Sequence, residues 1–126
     1  MKKISTTNAP AAVGPYSQAI DCGEFLFTSG QIGLDPATGA FAGDDVVTQA
    51  KQVCENLKAV LAEAGMTFEN VVKTTCFLAD IADFAAFNAV YAKYFTSCPA
   101  RSCVAVKALP RGVLCEVEVI AELNKN

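Results

Sequence analysis

Arg101 is the residue of this sequence best suited to bind an anion. It is one of only two arginines, and it follows Pro99, which fixes the backbone at the start of a predicted strand. A guanidinium held beside a rigid segment can bind a carboxylate or a phosphate through two parallel hydrogen bonds. The alternative is a structural ion pair between Arg101 and an acidic residue such as Glu118, and spacing alone favours this alternative.

Glu116 and Glu118 are the candidate acid–base groups. They alternate with apolar residues in the last predicted strand, where glutamates usually form a solvated polar row. A buried Glu116 would instead have a raised pKa, which suits a carboxylate that serves as a base. Glu116 is therefore either a polar residue on an exposed strand face or a general base.

Three further residues have types and positions compatible with a binding pocket. Gly30, which follows Ser29, either allows a ligand to approach the backbone or marks a β-bulge, and the spacing of a phosphate-binding loop is missing around it. Tyr16 either closes a pocket or is a half-buried tyrosine at the start of a strand. Asn88 interrupts the apolar side of a predicted helix, so it is either a hydrogen-bonded clamp or a pocket residue.

The sequence contains no histidine, which limits the chemistry of any active site. This excludes Ser-His-Asp and Cys-His nucleophile systems, histidine-ligated metal sites and paired-histidine nuclease chemistry. Protons must therefore be moved by Glu, Asp, Tyr, Cys, Lys, the backbone or water.

The six cysteines do not have the paired spacing of a zinc site. An export signal is not recognisable before them, so we expect reduced thiols rather than a disulfide framework. Cys54 lies on an apolar helix face, and Cys76 and Cys115 lie in strand-like runs, so these three are expected in the core.

Length and composition predict one domain, residues 1–126, that associates with other copies. Hydrophobic residues make up 52% and charged residues 18% of the chain, so some apolar surface is expected between subunits. The net charge is −3, and there is no basic cluster beyond Lys2-Lys3, so a nucleic-acid partner is not expected. No apolar run is long enough to span a bilayer, and we expect a cytoplasmic protein without a membrane partner.

Two amphipathic helices and several strands must position the candidate residues. Apolar residues at spacings of three and four predict a helix that begins after Asp44 or Asp45 and ends at Gly65, and a second helix over residues 83–95. The predicted strands are residues 2–5, 16–22, 25–31, 71–79, 101–109 and 113–123. This order predicts an α+β fold in which both helices cover one face of a mixed sheet.

The last two predicted strands are expected to form a hairpin around residues 109–112. A four-residue turn would place Arg101 opposite Ile120, and Ala105 opposite Glu116, and a slip of one residue would reverse the faces. The face not covered by the helices would then carry Arg101, Cys103, Lys107, Glu116 and Glu118. A partly apolar, uncovered face is also where a symmetric oligomer would associate.

Several blocks of the sequence, in this order, closely resemble the RidA family, also called the YjgF family or reactive intermediate deaminases. The resemblance covers nearly the whole chain. The blocks are GPYSQA (14–19), SGQIG (29–33), VVKTT (71–75), DIADF (80–84) with Asn88, PARSC (99–103), LP (109–110) and EVEVIA (116–121). No single block is decisive, but their combination is highly specific.

The resemblance implies a chorismate-mutase-like fold and a homotrimer with three sites in clefts between subunits. It implies hydrolysis of enamines and imines, such as 2-aminoacrylate, to 2-oxo acids and ammonia, with no metal and no organic cofactor. Arg101 would bind the substrate carboxylate beside the backbone of Gly30, and Glu116 would position the attacking water with help from the Cys103 main chain. The residues that would line or shape the pocket are Tyr16, Ser29 and Asn88.

Two other functions are compatible with the same family resemblance. One is an endoribonuclease or translation inhibitor, which the missing histidine and the negative charge disfavour. The other is a non-catalytic trimeric module that binds small carboxylates. The segment 95–98 is shorter than in many members and ends in Cys98 instead of an apolar residue, so it is expected to affect substrate range.

Overall fold

The computed structural model describes residues 1–123, in which both helices pack on one face of a mixed sheet. The strands are β1 (Lys2–Ile4), β2 (Ala19–Asp21), β3 (Phe25–Thr28), β4 (Gln31–Ile32), β5 (Val71–Leu78), β6 (Ala100–Ala105) and β7 (Cys115–Glu122). The helices are α1 (Val46–Glu63) and α2 (Phe84–Tyr94). The strand order is β1-β2-β3-β7-β5-β6, and β4 also pairs with β7. The predicted α+β fold is confirmed.

A capping residue and a glycine explain where helix α1 begins and ends. Asp45 precedes the first turn, and its carboxylate accepts a hydrogen bond from the Thr48 backbone N–H at 2.8 Å. The helix ends before Gly65, whose φ of +76° is readily adopted by glycine. Its buried apolar residues recur every three or four positions, as predicted. They are Val46, Ala50, Val53, Cys54, Leu57, Val60 and Leu61.

Leu57, at the centre of the buried face of α1, allows a test of this packing. Its side chain is fully buried in the core. We expect Leu57→Ala to lower the free energy of unfolding by about 3–5 kcal/mol, because the cavity adds to the lost burial. Lys51→Ala, on the exposed side of α1, should change it by less than about 0.5 kcal/mol. Urea denaturation measures both values, and equal losses in the two variants would contradict the assigned core.

The last two strands do not form the predicted hairpin. β6 runs parallel to β5 on one side, and β7 runs antiparallel to β5 on the other side. Because α2 connects β5 to β6, the three elements form a β-α-β unit, whose crossover returns the chain in the parallel direction. Residues 110–112 form a 3₁₀ turn with Arg111 at φ +59°, and this turn leads the chain across β5 to β7. The predicted pairs Arg101–Ile120 and Ala105–Glu116 are therefore wrong.

The observed pairing changes which residues share a side of the sheet. Arg101 and Cys103 lie beside Thr74 and Cys76 of β5, which are fully buried under the helices. Glu116 alternates along β7 with fully buried residues, so its side chain lies on the opposite side of the sheet. The prediction of one shared, uncovered face is wrong for Arg101 and Cys103, because β6 pairs with β5 instead of β7, in a register that places these two residues on the helix side.

The side of the sheet away from the helices is partly apolar, as predicted, and is called the open face below. It is formed by Phe27, Ile32, Phe77, Val104, Glu116 and Glu118. Phe27 and Val104 are 44% and 46% exposed. Lys107, which was also predicted here, lies beyond the end of β6. Exposed apolar side chains that lie together on one face of a sheet are typical of a surface that contacts another protein chain.

The strands near the N-terminus are shorter than predicted. Tyr16 precedes β2, and Ser29 and Gly30 separate β3 from β4, so the predicted strand 25–31 is interrupted. The Ser29 N–H donates a hydrogen bond to the Gln18 carbonyl at 2.9 Å. The irregular residues before β2 are thereby held next to the interruption between β3 and β4.

Candidate functional site

Glu116 lines a cavity of about 530 Å³ next to the interruption between β3 and β4. Three other predicted site residues, Tyr16, Ser29 and Gly30, line the same cavity. We call these four residues the Glu116 cluster. The structure therefore brings together residues from the N-terminal segment, the β3–β4 connection and β7.

Gly30 allows the Glu116 side chain to lie directly against the backbone. Ile32 pairs with Glu116 across β4 and β7, which brings the carboxylate beside residues 29–32. A Cβ atom at position 30 would overlap the Glu116 carboxylate. Because the φ of Gly30 is not in the left-handed region, glycine is needed here for space and not for its conformation. Of the two interpretations of Gly30, close approach to the backbone is the one supported.

The environment of Glu116 favours its protonated form. Burial raises the pKa of the Glu116 carboxyl, and the negative charge of Glu118 raises it further. A carboxylate with a raised pKa holds a proton more readily near neutral pH, as a general base must. Glu116 is therefore not part of a fully solvated polar row, and its raised pKa is compatible with a general base.

Gln18, which was not singled out from the sequence, fixes one wall of this cavity. Its side-chain oxygen accepts a hydrogen bond from the Thr6 N–H at 2.7 Å, and its side-chain nitrogen donates to the Pro10 carbonyl at 2.8 Å. The side chain is only 3% exposed, so both hydrogen bonds lie in a low-dielectric environment. The available signal was a glutamine immediately before a buried strand, where an apolar residue is expected.

Ser29 and Tyr16 differ in their exposure within the cluster. The Ser29 hydroxyl donates a hydrogen bond to the Ser17 carbonyl at 2.6 Å, so it ties the connection between β3 and β4 to the segment before β2. The Tyr16 side chain is 52% exposed at the edge of the cavity. Ser29 thus shapes the cavity, whereas the Tyr16 ring is free to contact a ligand.

Arg101 lines a second cavity of about 440 Å³, next to helix α2. Its Nη1 donates a hydrogen bond to the Asn88 side-chain oxygen at 2.6 Å, and its Cζ lies 4.6 Å from the centroid of the Tyr91 ring. A guanidinium has five N–H donors, and this is its one hydrogen bond within residues 1–123. Other donors of Arg101 are therefore available to a carboxylate. Asn88, Arg101 and Cys103 are called the Arg101 cluster.

The structure decides between the interpretations of Arg101 and Asn88 that the sequence left open. Asn88 is both a clamp, since it binds Arg101, and a residue that lines the cavity. Arg101 and Glu118 lie on opposite sides of the sheet, so the alternative of a structural ion pair between them is wrong. Within residues 1–123, the hydrogen-bond partner of Arg101 is instead the uncharged amide of Asn88.

Cys103 lies on the same side of β6 as Arg101 and pairs with Cys76 on β5. Burial raises the pKa of the Cys103 thiol, although the charge of Arg101 lowers it in part, and burial raises the pKa of Cys76 to about 12. Both thiols are therefore protonated near neutral pH and are poor nucleophiles. The predicted core thiols Cys54, Cys76 and Cys115 are all buried, which confirms that prediction.

The Glu116 cluster and the Arg101 cluster do not meet within one chain. Glu116 lies on the open face, Arg101 lies on the helix side, and each lines its own cavity. A ligand in the cavity lined by Arg101 would therefore lie on the other side of the sheet from Glu116 of the same chain. No group of three or more Cys, Asp or Glu side chains in the described range 1–123 could hold a metal ion. None of the helices in that range is long and apolar enough to cross a membrane.

The fold and the two clusters define a small α+β protein with two separate cavities, one lined by Glu116 and the other by Arg101. Comparison with known proteins gives the family. Residues 6–123 match the family model described as Endoribonuclease L-PSP. A RutC family protein of Synechocystis is 58% identical over 98% of this chain and 97% of its own length.

Two further relatives carry more specific names. The 2-iminobutanoate/2-iminopropanoate deaminase of Salmonella typhimurium is 52% identical over 95% of this chain and 96% of its own length. The crystal structure of E. coli TdcF with bound serine superposes with a TM-score of 0.93 at 44% identity, covering 97% of this chain and 98% of TdcF. This chain therefore belongs to the RidA/YjgF family, also described as the L-PSP family. The family includes imine deaminases.

Proposed function

We propose that this protein hydrolyses 2-iminobutanoate, 2-iminopropanoate and their enamine tautomers to 2-oxo acids and ammonia. We also propose a homotrimer, in which Arg101 of one subunit and Glu116 of its neighbour form each site. The observation that carries this proposal is the position of these two residues on opposite sides of one sheet. A site that needs both must be completed by a second copy, and the apolar open face provides a surface for association.

The residues of the two clusters match the chemical needs of imine hydrolysis. The imine carbon is already electrophilic, so a positioned water can attack it without a strong nucleophile. Arg101 holds the substrate carboxylate through paired N–H donors. Glu116 accepts a proton from the water as the water oxygen bonds to the imine carbon, and it returns this proton to the nitrogen, which gives a neutral carbinolamine. Glu116 then takes the proton of the new hydroxyl group and passes it to the amino nitrogen. The C=O bond forms as the C–N bond breaks, and ammonia leaves.

The remaining predicted site residues have supporting roles in this proposal. The backbone N–H of Gly30 donates to the substrate carboxylate, and the main chain of Cys103 helps to orient the water. Tyr16 closes the cavity, Ser29 shapes it, and Asn88 holds Arg101. No metal or organic cofactor takes part.

Product release from a freshly generated imine tests the proposed function. A threonine dehydratase supplies the unstable enamine, and 2-oxobutanoate and ammonia are measured against spontaneous hydrolysis. We expect the native protein to accelerate release and Glu116→Gln to reduce this acceleration by about 10²- to 10⁴-fold. No acceleration by the native protein would contradict the proposal. RNA cleavage that is lost in Glu116→Gln would favour the endoribonuclease alternative.

Glu118→Gln should shift the pH dependence of the reaction. Glu116 acts as a base only when it is ionised, so activity falls as the pH drops through its raised pKa. The charge of Glu118 raises that pKa, so its removal should move the acid limb of kcat/KM to lower pH. Measurement of kcat/KM between about pH 4 and 8 in both proteins tests this direction. An acid limb that stays in place or moves to higher pH would contradict the role of Glu116.

A further inference from the structure

The Tyr91 ring lies beside the charged group of Arg101. The Arg101 Cζ is 4.6 Å from the centroid of the Tyr91 ring and 5.5 Å from that of the Phe84 ring. A guanidinium at this distance from an aromatic ring is attracted to the negative face of the π system. Asn88 fixes one nitrogen of Arg101, but one hydrogen bond leaves the guanidinium plane free to rotate about it. The Tyr91 ring, which is the closer of the two rings, lies where it can restrict this rotation.

Tyr91 is itself held in place by a buried hydrogen bond. Its hydroxyl lies 2.8 Å from the Thr74 hydroxyl, and Thr74 is fully buried on β5. Thr74 is also the residue that pairs with Arg101 across β5 and β6. Thr74 therefore contacts the Tyr91 hydroxyl through its side chain and pairs with Arg101 through its strand. Tyr91 and Arg101 are positioned by the same residue of β5.

Aromatic packing fixes the remaining degrees of freedom of Tyr91. Its ring stacks on Phe95 at a centroid distance of 4.3 Å and an interplanar angle of 18°. Phe87 contacts it at 6.0 Å from one turn earlier in α2. The side chain is 7% exposed, and this small exposed part lines the cavity that contains Arg101. A tyrosine needed only for the core would require neither the contact with the cation nor a place in the cavity wall.

We propose that Tyr91, anchored by Thr74, is a positioning residue that orients the Arg101 guanidinium for a substrate carboxylate. The identity of that carboxylate rests on the proposed function. Tyr91 itself does not touch the reacting atoms. It restricts the orientation of Arg101 before the ligand arrives, and less freedom is then lost on binding.

The orientation of Arg101 can be tested without any ligand. Protons of Arg101 close to the Tyr91 ring experience its ring current, so the Nε–H resonance of Arg101 is shifted in the native protein. Tyr91→Leu should remove the contribution of the Tyr91 ring to this shift, whereas the contribution of the Phe84 ring should remain. Tyr94→Leu is the matched control, because Tyr94 lies on the same helix and donates its hydroxyl to Glu55 instead. An unchanged Arg101 resonance in folded Tyr91→Leu would overturn the proposal.

The effect on binding is measured with 2-oxobutanoate, a stable 2-oxo acid. Tyr91→Leu should weaken its binding by about five- to thirtyfold, whereas Tyr94→Leu should leave the affinity within about twofold of native. In turnover, KM should rise more than kcat falls, because the lost interaction is made with the bound carboxylate in both ground and transition states. Unchanged affinity in folded Tyr91→Leu would overturn the proposal.

A second set of variants separates positioning from stability if Tyr91→Leu does not fold. Tyr91→Phe and Thr74→Val each leave one buried hydroxyl without its partner and lower the unfolding free energy. The double variant removes both hydroxyls, so it should recover part of that stability while the affinity for 2-oxobutanoate stays about threefold or more below native. Affinity that recovers together with stability would show a purely structural role and overturn the proposal.

These measurements also separate this inference from the proposed function. A native protein that does not bind 2-oxobutanoate would overturn the assignment of Arg101 as the carboxylate-binding residue. The ring-current measurement requires no ligand, so it tests the orientation of Arg101 by Tyr91 in either case. If the native protein binds 2-oxobutanoate but fails to hydrolyse imines, the proposed reaction is wrong, and the binding data still test the role of Tyr91.

Discussion

A mixture of two inactive variants should recover activity. Arg101→Met lacks the residue that binds the substrate carboxylate, and Glu116→Gln lacks the base, so each variant alone should be inactive. In a mixed oligomer, some sites combine the intact Arg101 of one subunit with the intact Glu116 of its neighbour. Random mixing in equal amounts should make about one quarter of the sites native, because each site takes one residue from each of two subunits.

The experiment uses the two variants produced separately or together in the same cells. Release of 2-oxobutanoate is measured for each variant alone, for the co-produced mixture and for the native protein. A mixture of Arg101→Met with Arg101→Gln is the matched control and should stay inactive, since none of its subunits has the arginine. A mixture of Arg101→Met and Glu116→Gln that is as inactive as its components would contradict the shared site.

Gly30→Ala should remove most of the activity while the fold is kept. The added Cβ would overlap the Glu116 carboxylate, which lies at the end of a flexible side chain and can move aside. The φ of Gly30 is not in the left-handed region that disfavours alanine, so little stability should be lost. Displacement of the base by about 1 Å should lower kcat/KM by roughly a hundredfold. Steady-state kinetics and urea denaturation measure the two effects.

Gly39→Ala is the matched control, with the opposite expected result. No atom lies within 4 Å of a Cβ at position 39, but its φ of +75° is unfavourable for alanine. This variant should lose about 1–2 kcal/mol of unfolding free energy and keep native kcat/KM. Native kcat/KM in Gly30→Ala would contradict the close packing of Gly30 against Glu116.

The elements of the fold could be predicted because their signals are local. The apolar spacing and the Asp45 cap define α1, and the alternation in β7 identifies which of its residues face the helices. The buried thiols follow from the same patterns, since Cys54, Cys76 and Cys115 occupy apolar positions. These predictions depend only on residues that lie close together in the sequence.

The pairing of β6 could not be predicted because it depends on distant residues. The sequence places β6 and β7 next to each other with a Pro-Arg-Gly segment between them, which also suits a hairpin turn. Alternation of side chains in β6 is compatible with either face, because Val104 and Cys103 are both acceptable in a core. Only the helix between β5 and β6 shows that the strand returns parallel, which places Arg101 beside Thr74.

In the candidate site too, the residue types could be predicted from the sequence, whereas their arrangement in space could not. Arg101, Glu116 and Gly30 were identified by residue type and by family resemblance, but their distribution over two cavities was not. Tyr91 was missed as a site residue because an aromatic residue on the apolar side of a helix is explained by core packing. Gln18 was missed although its polar side chain next to a buried strand was an available signal. Their importance depends on contacts with Pro10 and Arg101, and contacts between distant segments leave no periodic pattern.

The separation of Arg101 and Glu116 also affects how cellular capacity depends on expression level. Under the proposed function, a single chain has half of each of two reaction centres and turns over nothing alone. If part of the protein is dissociated at low abundance, a doubling of its synthesis will more than double the rate of imine removal. Gene dosage would then act on this protein more steeply than on an enzyme whose active site is complete within one chain.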